Sequence, residues 1–402
     1  MLFPYQYVNH SMEKMQEFID YIFYEIWCEA PNLEYDVTLF DKNTDLKDII
    51  VSFHYTDLKG AEFFIKGIQE IFLIFKTLSI NHIALLKFWY RSNNDIESLC
   101  KNHPMVKPST YSVIDRLNKD LSPALKAFFE RLYSDSFLSL KVLSDKIGFI
   151  EDHYKKFVKI NSKGKCPFCG LNDVDSQYVH TREAYDHYLP KSKYPFASIN
   201  LKNLAPICYK CNSGYKLSKD PLHDSCGTRR KAFYSYNPIP YVVKIDILLD
   251  SLDIDDMTPE DINITFGPDS LVEELETWKE VFGIEERYKA KCCSADAKYW
   301  VTQILDECGD IYPNEFLHIR FQSAQRFPYS DTNFLRKPFL EACEAHHVFE
   351  FESRLQSETS TKTLSEKSEI DITVSRSTTN LADLILDLKE QALIHAHDKE
   401  VG

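Results

Sequence analysis

The sequence predicts a mainly α-helical fold in which two helical regions flank a small cysteine-framed knuckle. Three observations point there. Apolar residues recur at helical spacing through the first 160 residues. A stretch rich in Pro, Gly and Asn, 161–240, then breaks that rhythm and holds two Cys-x-x-Cys pairs. After Pro240 helical patterning returns and continues to the neighbourhood of Ser353. The expected organisation is a helical region over 1–160, the knuckle module over 161–240, a mostly helical region over 241–353, and a linker with a terminal helix over 354–402.

The elements follow in order. Met12, Met15, Ile19, Ile22 and Ile26 form one stripe at helical spacing, with Ser11 placed as an N-cap. Leu58 to Phe75 and Ile80 to Tyr90 read as broad-faced buried helices. Ser112 to Leu132 and Leu138 to Ile160 also suit helices, after a loop punctuated by Pro104 and Pro108. Beyond the knuckle, Val242 to Leu249 suits a strand or a short helix, and Ile262 to Phe266 alternates as a strand does. Leu275 to Cys293 and Ser294 to Glu307 are helical in pattern. Ser357 to Thr379 is a polar linker in composition, and Leu381, Leu384, Ile385 and Leu388 put one apolar face on a terminal helix.

Composition narrows the function classes. The formal net charge is −14, which argues against a general nucleic-acid coat, because affinity for phosphates comes from Lys and Arg. Yet Asp152 to Lys231 holds 15 Lys and Arg against 7 Asp and Glu, a local net of +8, so the remainder carries −22. A basic island of that kind suits a local phosphate-binding site, and equally a solvated surface. The chain has 11 cysteines and no basic-then-apolar leader, so the expected setting is the reducing cytoplasm, where paired cysteines more often hold metal than form disulfides. No membrane span is expected: the most apolar stretch, Ile71 to Leu86, is interrupted by Lys76 and falls short of the ~20 apolar residues required.

The two pairs are Cys166-Pro-Phe-Cys169 and Cys208-Tyr-Lys-Cys211. Each can bite one Zn²⁺ from a tight turn, and together they complete a tetrahedral four-sulfur shell. Gly164 and Gly170 flank the first turn, which needs a permissive backbone. The 38 residues between the pairs leave room for a substructure. A closed shell has no open position, so this zinc is expected to be structural. A redox role is disfavoured because nothing nearby resembles a thioredoxin βαβ unit. Cys226 and the neighbouring Cys292 and Cys293 lack partner spacing and read as ordinary buried thiols.

Between and after the pairs lie Asp186-His187 shortly before Pro190, Asn203-Leu204 with Asn203 sixteen residues after His187, and Asn212 directly after Cys211. In order, spacing and cysteine frame, Gly164 to Lys219 resembles the HNH (ββα-metal) endonuclease family. The resemblance covers about a seventh of the chain and does not reach the flanking regions. It implies a β-hairpin and helix held by the zinc knuckle. It further implies His187 as general base, with Asp186 and Asn212 as ligands of one catalytic divalent ion. The family more often has His at the last position. Asn there offers a neutral carbonyl oxygen, which favours a hard ion such as Mg²⁺ or Mn²⁺.

The chemistry is consistent with those assignments. Phosphodiester hydrolysis needs an activated water, charge neutralisation and help for the leaving oxygen. A neutral imidazole near pH 7 can take a proton from water. Asn203 can bridge backbone across the loop and orient His187. Lys216, one helical turn beyond Asn212, together with Lys191 and Lys210, forms a candidate set of phosphate contacts; Lys193, Arg229 and Arg230 extend it. His180 and Arg182 lie just upstream and suit structural or solvent-facing roles. The segment Trp278 to Tyr288 mixes aromatic and basic residues on a helix, which suits substrate contact or core packing equally.

The expected function is therefore a metal-dependent endonuclease acting on DNA in bacterial anti-phage defence. The arrangement looks similar to Septu-type HNH subunits, which accompany an ATPase. No Gly-x-x-x-x-Gly-Lys-Ser/Thr pattern occurs here, so an ATPase would be another chain. The alternatives are an HNH nuclease that cuts RNA such as tRNA, and a non-catalytic zinc module that assembles a complex.

Overall fold

A computed structural model describes residues 1–55, 59–308 and 313–353. Among these the fold is mainly helical, as the periodicity predicts. The expected linker and terminal helix of 354–402 lie outside the described residues.

The N-terminal helical section comprises α1 (Lys14–Tyr21), α2 (Thr44–His54), α3 (Lys59–Lys76), α4 (Ile80–Asn94), α5 (Ile96–Cys100), α6 (Tyr111–Leu117), α7 (Leu121–Leu132), α8 (Asp135–Leu138), α9 (Lys141–Ile147) and α10 (Ile150–Ile160). The apolar stripe from Met12 to Ile26 is buried throughout, and α1 runs on into a wider turn over Ile22–Trp27. Trp27 is fully buried and donates its indole N–H to Ile68 O at 3.0 Å, which satisfies its one polar atom inside the core. Phe64 of α3 stacks on Phe128 of α7 with ring centroids 5.6 Å apart.

Two long helices expected from periodicity are broken. Ser112 to Leu132 divides at Asn118, whose side chain accepts from the backbone N–H groups of Asp120 and Leu121 and so starts a new helix. Leu138 to Ile160 divides at Gly148, where φ is +77°, a left-handed conformation that terminates a helix. The apolar spacing carries across both breaks because the pieces face one core.

The central segment contributes β1 (Tyr185–His187) paired antiparallel with β2 (Leu204–Pro206), with His187 opposite Leu204. A helical segment, Lys210–Lys216, follows. The C-terminal section begins with β3 (Lys244–Leu249) paired antiparallel with β4 (Ile262–Gly267), which resolves Val242 to Leu249 as a strand. It continues with α11 (Val272–Phe282), α12 (Ile284–Cys292), α13 (Ala295–Cys308), α14 (Pro313–Arg326) and α15 (Asn333–Ala345). Leu275 to Cys293 is thus two helices meeting at Gly283, where φ is +59° and an added Cβ would lie 2.4 Å from the Tyr215 ring.

The apolar interior forms two clusters. One holds the N-terminal helices other than α5 together with Tyr185, Phe196, Ile199, Leu201 and Leu204. The other holds the C-terminal section, the four cysteines and the segment Met1 to Val8. Leu2 N–H bonds to Pro167 O and Tyr5 N–H to Ser235 O, so the first residues pack against the knuckle and not against α1. The β1–β2 hairpin divides its side chains between the two clusters and sits where they meet. Among the described residues no helix is long and apolar enough to cross a membrane.

Candidate functional site

Cys166, Cys169, Cys208 and Cys211 converge with their sulfurs all within 4.8 Å of one another, and all four are buried. The Cys169 and Cys208 sulfurs are 3.9 Å apart. With Zn–S bonds of about 2.3 Å, a tetrahedral shell requires sulfur separations of about 3.8 Å. A disulfide would bring two sulfurs to about 2.05 Å, and none is formed. The cluster could therefore hold a metal such as zinc. Its local fold serves that end. Cys169 N–H and Gly170 N–H both turn back to Cys166 O, and Cys166 N–H bonds to Asn172 O. Gly164 and Gly170 both have positive φ, as the sequence predicts for the flanks of this turn. The second pair starts the helical segment that carries Asn212.

His187 lies at the end of β1, half-buried. Its Nε2 donates to Ser198 O at 2.7 Å, so the lone pair resides on Nδ1. The Tyr133 ring, just beyond α7, meets the imidazole edge-on at 5.0 Å. Burial pushes the His187 imidazole down to about 3, reinforced by the Lys191 and Lys216 ammoniums, so the ring is neutral at physiological pH.

Asn203 is buried and fully engaged. Its Oδ1 accepts from Leu189 N–H at 2.7 Å, and its Nδ2 donates to Leu189 O at 3.1 Å and to Ala197 O at 3.0 Å. Ala197 immediately precedes Ser198, whose carbonyl accepts the hydrogen bond from His187 Nε2. Asn203 therefore fixes the loop that fixes the imidazole, a route of action through backbone.

Asp186 is buried, and its Oδ2 pairs with Lys216 Nζ at 2.9 Å. The same ammonium donates to His187 O at 2.8 Å. Lys216 is itself fully buried, so its charge faces the hairpin and not solvent. Asp186 Oδ1 has no hydrogen-bond partner among the described residues. Asn212 is half-buried directly after Cys211, with its N–H on Cys208 O.

The basic island is largely engaged within the protein. Lys191 Nζ donates to Glu130 O at the end of α7. Arg229 holds Leu222 O and Leu99 O, Arg230 pairs with Glu280, and Arg182 reaches Glu151 and Asp135. Lys193 lies 3.9 Å from the Asp220 carboxylate. Lys210 is exposed beside the Tyr215 ring, and His180 is exposed. Cys292 is buried as expected, but Cys293 is half-buried, and Cys226 is exposed because Asp224 and Gly227 close a surface turn around it.

Sequence reasoning missed Arg287 and took the Trp278 to Tyr288 segment as ambiguous. The structure gives that segment the packing role. Trp278 Nε1 donates to Phe168 O at 2.6 Å, and Tyr288 OH donates to Cys169 O at 2.9 Å. Arg287 Nη1 donates to Cys211 Sγ at 3.1 Å. The only signal available was a basic residue inside an aromatic, buried-type pattern.

No family model matches the chain, and no solved structure matches it significantly. Among curated proteins it is similar to the Septu protein PtuB of Bacillus thuringiensis, 37% identical over 65 residues, which is 16% of this chain and 22% of that protein. It is also similar to protein ea31 of Escherichia phage lambda, 32% identical over 128 residues, 31% of this chain and 36% of that protein. The chain thus spans between about a fifth and just over a third of the curated relatives it matches. The first similarity suggests a relation to Septu defence proteins.

Proposed function

We propose that this protein is a metal-dependent HNH endonuclease that hydrolyses phosphodiester bonds in DNA during anti-phage defence. The observation that carries the reading is the placement of His187: Nε2 is held by Ser198 O, which leaves the lone pair on Nδ1. That is the state a general base needs to accept a proton from water. The Asn203 bridge keeps the loop from shifting as the proton moves.

The donors fit a hard divalent ion. Among the described residues Asp186 Oδ1 has no hydrogen-bond partner, and the Asn212 amide supplies a neutral oxygen, a pair that suits Mg²⁺ or Mn²⁺. When bound, such an ion supplies charge neutralisation at the phosphate and at the leaving oxygen. Lys216 sets the Asp186 carboxylate by holding its other oxygen. Lys210 is the exposed cation of the set and the residue for backbone contact. Lys191 and Lys216 would raise the local potential from their internal positions. The similarity to PtuB supports a defence role, and the resemblance to Septu-type nucleases implies an ATPase as a separate partner subunit.

One observation favours the non-catalytic alternative: the Lys216 ammonium already neutralises Asp186. A cleavage assay on supercoiled plasmid and on tRNA, each with Mg²⁺ or with EDTA, separates the readings. Mg²⁺-dependent plasmid nicking is expected. Cleavage of tRNA alone moves the substrate to RNA, and no cleavage of either by zinc-loaded protein contradicts the nuclease reading.

A further inference from the structure

Arg287 on α12 is 7% exposed. A guanidinium is always charged, and a buried charge is stable only when paired. Among the described residues no carboxylate pairs with it. Its partners are Cys211 Sγ at 3.1 Å, Phe282 O at 3.2 Å and Asn172 Oδ1 at 3.3 Å, and its face lies 4.6 Å from the Tyr215 ring centroid. Asn172 Oδ1 in turn lies 3.8 Å from Cys169 Sγ. Every polar contact outside its own section therefore leads to the cysteine cluster.

Four thiolates around one divalent cation carry a net charge of −2. Four neutral thiols carry none. We propose that Arg287 is the counter-charge of a metal–tetrathiolate centre, and that it locks the C-terminal helices to the knuckle only when the metal is bound. This rests on metal occupancy of the four cysteines and is independent of any cleavage activity.

The surrounding geometry supports a lock. Trp278 and Tyr288 grip the carbonyls of Phe168 and Cys169 in the first cysteine turn. Arg287 reaches the second pair, contacting Cys211 and Tyr215 on either side of Asn212. One helix pair thus spans both halves of the cluster. Metal binding changes the charge that Arg287 faces, so it changes the docking of α11 and α12. Through Cys211 and Tyr215, Arg287 is also a positioning residue for the segment that carries Asn212.

The test is zinc release from the full chain to a chromogenic chelator. Arg287→Met keeps much of the volume and removes the charge; Arg287→Lys keeps the charge. The Met variant should release zinc about 10-fold faster than wild type or more, with Lys between the two. Equal rates for Met and wild type would overturn the proposal. A second measurement needs no variant. Hydrogen exchange across 272–292 in the wild-type chain should rise when zinc is stripped and fall when Zn²⁺ is returned. Protection that ignores zinc, or a chain that neither carries nor takes up zinc, overturns it as well.

Discussion

At one end of the knuckle four sulfurs face one another in a dry, closed cluster. At the other, about the β1–β2 hairpin, the polar groups are oxygens and an imidazole, and among the described residues one Asp186 carboxylate oxygen has no hydrogen-bond partner. Soft ligands with every position filled suit a metal that holds structure. Hard ligands with a position unfilled suit chemistry. The counter-charges differ too. Arg287 reaches the sulfur end from the C-terminal section, whereas Lys216 serves the hairpin from within the knuckle. Tyr133 of the N-terminal section closes over His187. Each end is thus gripped by a different helical section.

The largest effect should come from the sulfur end. Cys208→Ser should drop zinc content well below one per chain and abolish cooperative unfolding of the knuckle. Metal binding on the order of 10 kcal/mol is coupled to folding in small zinc domains. Metal analysis with a thermal melt checks it; full zinc content in the variant would erase the contrast.

Asn203→Ala comes next. It leaves Leu189 N–H and the Leu189 and Ala197 carbonyls without their partner in a buried site. At about 1–3 kcal/mol for an unsatisfied buried group, a loss of about 3 kcal/mol in denaturant unfolding is expected, with zinc retained.

A smaller effect is read by acid. His153 is 2% exposed, its Nδ1 against Tyr185 OH and its Nε2 against Val8 O, and burial pushes its imidazole down to about 4. The folded value lies below the unfolded value of about 6.5, so the unfolded chain binds more protons and stability falls as pH drops from about 6.5 towards 4. By linkage His153 alone removes about 2 kcal/mol between pH 7 and pH 5. His153→Gln should flatten that part of the pH dependence of the urea midpoint.

These residues also mark where sequence reading stops. The helices were legible because burial of one face writes itself into spacing. The cysteine pairs were legible because one metal demands four sulfurs from two tight turns. Gly148 and Gly283 were not read as breaks, since apolar spacing says nothing of a left-handed φ. The sequence puts Lys216 one α-turn beyond Asn212, as a candidate phosphate contact. In the structure Leu217 N–H closes on Asn212 O, five residues back, and Lys216 is buried against Asp186. Arg287 was out of reach for a different reason: its partner lies 76 residues away in sequence, across a contact that only the folded chain makes.

The comparison between the two ends is tested most directly by His187→Ala, with zinc content and Mg²⁺-dependent plasmid nicking measured on the same preparation. Zinc should stay at the wild-type level while nicking falls by about 100-fold or more, the scale of a general base. A zinc-loaded His187→Ala protein that nicks plasmid as fast as wild type would contradict the assignment.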